Sequence, residues 1–204
     1  NGRTVATNVP LDSLAGPIYS AALQRSPGGG EALVVGARGG VFRLRDGDRW
    51  EQVSLPEELR GWAAMVATRS VGDTDELWVG ALGGGVARLR NGSWRVWGRA
   101  HGLEDLEVEQ VVLTTAGDSL EALIATATGV YALTGDRWQR LGSPLRAVRI
   151  LRVRIRDVWE TWVGTLVGQV WRARDGQPWQ SVEISARGRG SRVQILEAVD
   201  HGLA

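Results

Sequence analysis

The chain has no cysteine and no lysine, and only two histidines, one methionine and one phenylalanine in 204 residues. Without cysteine there are no disulfides, no thiolate nucleophile and no cysteine-based zinc site, which suits an exported protein and a cytosolic one equally. His101 and His201 each stand alone in a glycine-containing loop, with no second ligand at metal spacing. No apolar run approaches the roughly 20 residues of a membrane helix, and no signal peptide opens the chain. Its first residue is Asn, so a mature or truncated segment of a longer protein is expected. The 24 basic residues, all arginine, face 23 acidic ones for a formal net charge of +1, so no bulk field recruits nucleic acid or an anionic membrane. A Gly-x-Ser-x-Gly elbow, a phosphate loop and a His-Glu-x-x-His motif are all missing. Gly28 to Gly30 and Gly83 to Gly85 read as hairpin glycines, since no helical pattern follows them. The expectation is a protein that is not an enzyme and carries no cofactor and no metal.

What is present is a repeat. Leu33-Val-Val-Gly-Ala-Arg-Gly-Gly-Val-Phe-Arg-Leu-Arg-Asp-Gly-Asp-Arg-Trp50 returns from Leu77 to Trp94, more loosely from Leu123 to Trp138, and again from Trp162 to Trp179. The closing tryptophans lie 44, 44 and 41 residues apart. Each copy reads as an apolar strand, a glycine-rich step, an alternating strand, an Asn/Asp-Gly turn (Gly135-Asp136 in the third copy) and a tryptophan-bearing strand. A further alternating strand separates the copies, so each unit of about 40 residues holds four antiparallel strands.

Four-stranded units at this period predict an all-β protein, a β-propeller, with blades over about 18–54, 62–97, 107–141 and 146–183. A fifth inner strand near 192–199 begins a further blade, 192–204. The chain is therefore read as part of a larger ring; the alternative is a small ring closed by Thr4 to Val9 pairing with the last strand.

Residues 76 to 117, "ELWVGALGGGVARLRNGSWRVWGRAHGLEDLEVEQVVLTTAG" with its Trp-Val-Gly opening, Asn-Gly turn and Gly-Leu link, resemble the two-component regulator propeller repeat. Trp162-Val-Gly-Thr165 matches the opening of the fourth copy, whereas Ile124-Ala-Thr126 departs from it. The resemblance implies a periplasmic or otherwise extracytoplasmic sensor or input module of a bacterial signalling receptor. It implies a small-molecule ligand, carbohydrate in some members, and leaves open a homodimer formed through a larger receptor.

Among the ten tryptophans, Trp50, Trp94, Trp138 and Trp179 share one repeat position and Trp78 and Trp162 another, which suits packing between blades. Trp62 opens an inner strand, where it is either a core residue or a platform for a sugar ring. Arg149, Arg152, Arg154 and Arg156 recur along the fourth inner strand, with Arg187 and Arg189 in the loop that follows the fourth blade. Either carboxylates such as Glu107 and Glu109 neutralise the strand arginines, or the group lines a wet site for an anionic ligand. Asp73, Asp75 and Glu76 could hold calcium, although a solvated turn fits the spacing better. The candidate ligand-binding set is thus Trp62, Arg149, Arg152, Arg154, Arg187 and Arg189. A ligand-binding input module is the leading functional reading, a constitutive protein-interaction scaffold the rival, and a propeller lyase a distant third.

Overall fold

A computed structural model describes residues 16–25, 30–45, 49–60, 62, 64–71, 73–114, 122–142 and 146–183. The fifth inner strand, the Thr4 to Val9 segment and the Asp46-Gly47 turn lie outside them. Four antiparallel sheets follow one another along the chain, each with its four strands in sequence order. The first holds β1 (Ile18–Arg25), β2 (Glu31–Ala37), β3 (Gly40–Arg45) and β4 (Arg49–Val53). The second holds β5 (Ala64–Val71), β6 (Thr74–Ala81), β7 (Gly85–Arg90) and β8 (Ser93–Trp97). β9 (Val108–Leu113), β10 (Ala122–Thr126), β11 (Gly129–Thr134) and β12 (Arg137–Arg140) form the third. β13 (Ala147–Ile155), β14 (Val158–Thr165), β15 (Val170–Arg174) and β16 (Gln180–Val182) form the fourth. These are β-propeller blades, and the chain divides into two compact units, Asn1–Val111 and Val112–Ala204.

In the first unit the core lies between the first two blades. Val34, Val41, Leu55 and Leu59 meet Ala64, Val66, Leu77, Val79 and Ala81, all buried. Period-2 alternation brings this about: residues at every second position of each strand share a face, and both faces of a blade are apolar. The inner strands β1 and β5 are further tied by hydroxyls. Ser20 Oγ accepts from Val66 N at 2.8 Å, Thr68 donates to Leu23 O at 2.9 Å, and Ser70 donates to Arg25 O at 2.6 Å. In the second unit Leu123, Ala125, Val130 and Ala132 pack on Ala147, Ile150 and Val163, with Trp171 and Trp179 against them.

In the second and fourth blades the repeated tryptophan closes the blade onto the one before it. Trp94 Nε1 donates to Ser54 O at 3.0 Å, and Trp179 Nε1 to Leu141 O at 2.9 Å. Trp179 sits just ahead of β16 instead of opening it.

Two hairpins use consecutive left-handed residues, as a two-residue type I′ turn requires. Asn91 and Gly92 (φ 50° and 75°) suit this, but Arg156 and Asp157 (φ 47° and 66°) carry side chains into it. Arg156 is thereby a turn residue, not a member of the inner-strand arginine row. Asp157→Gly should stabilise the protein by about 0.5 kcal/mol, because the relief of left-handed strain exceeds the loss of the exposed Arg154–Asp157 pair. A lower urea midpoint for this variant would contradict that.

Candidate functional site

In the first unit, the loop from Leu55 to Trp62 crosses the β6–β7 turn. Glu58 and Leu59 lie so close over Gly84 that a Cβ there would come within 2.4 Å of Glu58 O. Trp62 rests on Gly83, where three ring carbons would lie 2.9–3.0 Å from a Cβ; the glycine makes room for the indole. Trp62 is 47% exposed, so one part of the ring is seated on backbone and another faces solvent. Arg60, two residues earlier, donates from Nε to Leu55 O at 3.1 Å and lines a cleft of about 420 Å³ with Gly39, Gly40, Gln52 and Ser54. Nearby in the first blade, Glu51 accepts from Arg45 at 2.9 Å and Arg43 at 3.2 Å. The Arg45 bond outweighs the opposing cost of burial and, with a lesser contribution from the Arg43 bond and both arginine charges, holds the Glu51 carboxyl below its ordinary 4.5. The contribution of this pair is present above that value and is lost as pH falls through the depressed one.

The second unit positions the strand arginines. Arg152, with its side chain 2% exposed, forks onto Asp175 at 2.7 and 2.8 Å, donates to Thr161 Oγ1 at 2.8 Å, and lies 5.3 Å above the Trp159 ring. Its planar guanidinium is thus largely engaged within the fourth blade. Arg154 is half-exposed and reaches Asp157 at 3.1 Å. Arg149 is half-buried and donates to the Val148 carbonyl at 2.6 Å. Arg187 and Arg189 lie outside the described residues. Asp175, the acceptor for Arg152, reads from sequence only as half of an Asp-Gly turn; its role depends on hairpin register.

Of the acidic loop, Asp75 and Glu76 point to opposite faces of β6, which separates the carboxylates that calcium would need together. Glu76 is fully buried. It accepts from Trp78 Nε1 at 2.9 Å and Arg69 Nε at 2.8 Å, with Arg88 and Arg90 at 3.6 and 3.5 Å. Trp78 stacks on Trp97 with centroids 5.3 Å apart, and Arg88 lies over both rings. The fourth blade repeats the device: Glu160 accepts from Trp162 at 3.0 Å and Arg174 at 2.8 Å. Glu-x-Trp occurs in these two blades, whereas the other two carry Ala32-x-Val34 and Ala122-x-Ile124. That covariation within the repeat was a legible signal that the sequence reading missed. Among the described residues no group of three His, Cys, Asp or Glu side chains could hold a metal. Nor is any helix among them long and apolar enough to cross a membrane.

No family model and no curated protein matches this chain. Solved structures do. The extracellular domain of the one component system BT4673 from B. thetaiotaomicron is similar over 81% of this chain and 22% of its own, at 19% identity and a TM-score of 0.60. BBS1N, solved in complex with ARL6DN, is similar over 83% of this chain and 56% of its own, at 16% identity and a TM-score of 0.56. An ancestral GH74 enzyme is similar over 86% of this chain and 26% of its own, at 17% identity and a TM-score of 0.58. This chain therefore spans between about a fifth and just over half of the chains it matches. At these identities the shared property is the propeller fold, and a fold by itself does not fix a function.

Proposed function

We propose that this chain is a non-catalytic ligand-binding module, the extracytoplasmic input region of a bacterial signalling receptor of the two-component or one-component kind. The observation that carries the reading is Trp62, an indole seated on a glycine turn with nearly half its surface open, in the same loop as the cleft-lining Arg60. An exposed tryptophan held rigid by backbone offers a flat apolar face to a sugar ring, and a guanidinium beside a polar cleft suits hydroxyls or a carboxylate. The repeat resemblance and the extracellular BT4673 domain support the same reading.

Trp62→Ala should lower the thermal midpoint by no more than about 5 °C, since nearly half of the side chain is already in solvent, while weakening glycan or sugar-acid binding at least about tenfold. The measurement is calorimetric titration of ligands found on a glycan array. Wild-type protein that binds no glycan and no small acid would sink the reading.

One observation favours the scaffold alternative. Leu166 and Val167, at the β14–β15 turn, are 40% and 58% exposed, and BBS1N was solved holding a protein partner. Protein contact would be lost on Leu166→Ser with Val167→Ser and kept on Trp62→Ala.

A further inference from the structure

Among the described residues, Arg60 alone brings a charge to the wall of the cleft at the β2–β3 turn; the rest of the lining is glycine, amide, hydroxyl and apolar. No carboxylate answers that charge. Glu51, next to Gln52 in β4, points to the opposite face of the strand and is held by Arg43 and Arg45. Glu57 and Glu58 stand in the same loop as Arg60, yet neither forms an ion pair with it.

The guanidinium is also anchored. Its Nε donates to the carbonyl of Leu55, a buried residue, at 3.1 Å. That bond uses one edge of the group and leaves the two η nitrogens, which have no acceptor among the described residues. Two coplanar N–H donors side by side form a fork that matches the two oxygens of a carboxylate. Around the fork stand groups for hydroxyls. Ser54 carries a hydroxyl with no partner among the described residues, its carbonyl being taken by the Trp94 indole. Gln52 spends its Nε2 on Gly39 O at 3.3 Å and keeps its Oε1 as an acceptor. Gly40 leaves the wall bare, since a Cβ there would lie 3.3 Å from that Nε2.

We infer that the ligand of this site is an acidic sugar, and that Arg60 is the residue that selects it over a neutral one by binding its carboxylate. The inference rests on the reading of the Trp62 loop as a binding site and narrows what that site takes. A carboxylate for the fork, ring hydroxyls for Ser54 and Gln52, and an apolar ring face for the indole two residues along together describe a uronic acid. One guanidinium balances one carboxylate, whereas a phosphate dianion would bring a second charge that the lining does not meet. The volume of about 420 Å³ falls within the usual range for small-molecule sites.

The test is calorimetric titration of the whole chain with a panel of uronic-acid oligosaccharides and with their methyl esters, which keep the ring and its hydroxyls and lose the charge. Wild-type chain should bind an acid at least about tenfold more tightly than its ester. Arg60→Gln should bring the acid down to the affinity of the ester and leave the ester within about twofold of its wild-type value. Arg60→Lys, which keeps the charge and loses the fork, should retain part of the preference and serves if the glutamine variant fails to fold. Trp62→Ala should weaken acid and ester by the same factor, so that their ratio is unchanged. An Arg60→Gln variant that loses acid and ester equally would make Arg60 an anchor of the loop and overturn the inference. Wild-type chain that binds neutral glycans as tightly as acidic ones, or only acids without a sugar ring, also overturns it while the binding-module reading stands; a chain that binds no glycan and no small acid overturns both.

Discussion

Glu76→Leu should destabilise the protein by about 3 kcal/mol, measured by urea unfolding, while Glu76→Gln should cost roughly half as much. The carboxylate is fully buried and sits against the side chains of Arg69, Arg88 and Arg90, of which the first two are only about a fifth exposed. Removing it leaves positive charge at a dry site and takes the acceptor from the Trp78 indole. Glutamine keeps an oxygen for that indole but gives no charge to the arginines. The figure is held below the upper range for broken buried pairs because Arg90 is 43% exposed and water screens it. The fourth blade supplies an internal comparison. Glu160→Leu meets a single close arginine, Arg174, which is 56% exposed, so its cost should be nearer 1.5 kcal/mol. A Glu76→Leu variant within about 0.5 kcal/mol of wild type would mean that the arginines find water or other partners, and that the carboxylate is there for register rather than stability.

These two glutamates also mark where sequence reading stops. The four-stranded antiparallel units were legible because glycine-rich steps, Asn-Gly and Asp-Gly turns and period-2 alternation are local signals. Which carboxylate meets which arginine is set by register between strands, a non-local property that shifts every side chain to the other face when it slips by one. For that reason Glu76 read as a loop acid, Asp175 as a turn residue, and Arg152 as a residue in search of a partner. The exposure of Trp62 was likewise undecided until the glycine beneath it was located: an indole next to an inner strand is equally compatible with burial. Trp97 and Trp171 stand outside the repeated tryptophan positions, yet one stacks on Trp78 and the other packs in the core of the second unit, because outer and third strands present alternate positions to opposite neighbours.

The second large effect concerns how closely blades approach. Gly36→Ala should cost about 3 kcal/mol or more, although alanine is an ordinary strand residue and Gly36 lies in a regular strand. A Cβ at Gly36 would stand 2.1 Å from Ala64 O and 2.9 Å from Ser20 Oγ. Neither neighbour can yield cheaply. Ala64 belongs to β5, whose backbone is fixed by pairing with β6, and Ser20 Oγ is engaged by Val66 N. Gly80 in the second blade is a graded control: its Cβ would meet the Val108 and Val111 side chains at 2.4 and 2.9 Å, and methyl groups can re-orient where a carbonyl cannot. Gly80→Ala should therefore cost about 1–2 kcal/mol. Gly98 has nothing within 4 Å of its Cβ position and an extended φ of −135°, so Gly98→Ala should change stability by less than about 0.5 kcal/mol. The ordering is more diagnostic than any single value, since it tracks what each Cβ would strike. If Gly36→Ala unfolds at the same urea concentration as Gly98→Ala, β2 and β5 are not in contact, and the stacking of the first two blades has to be redrawn.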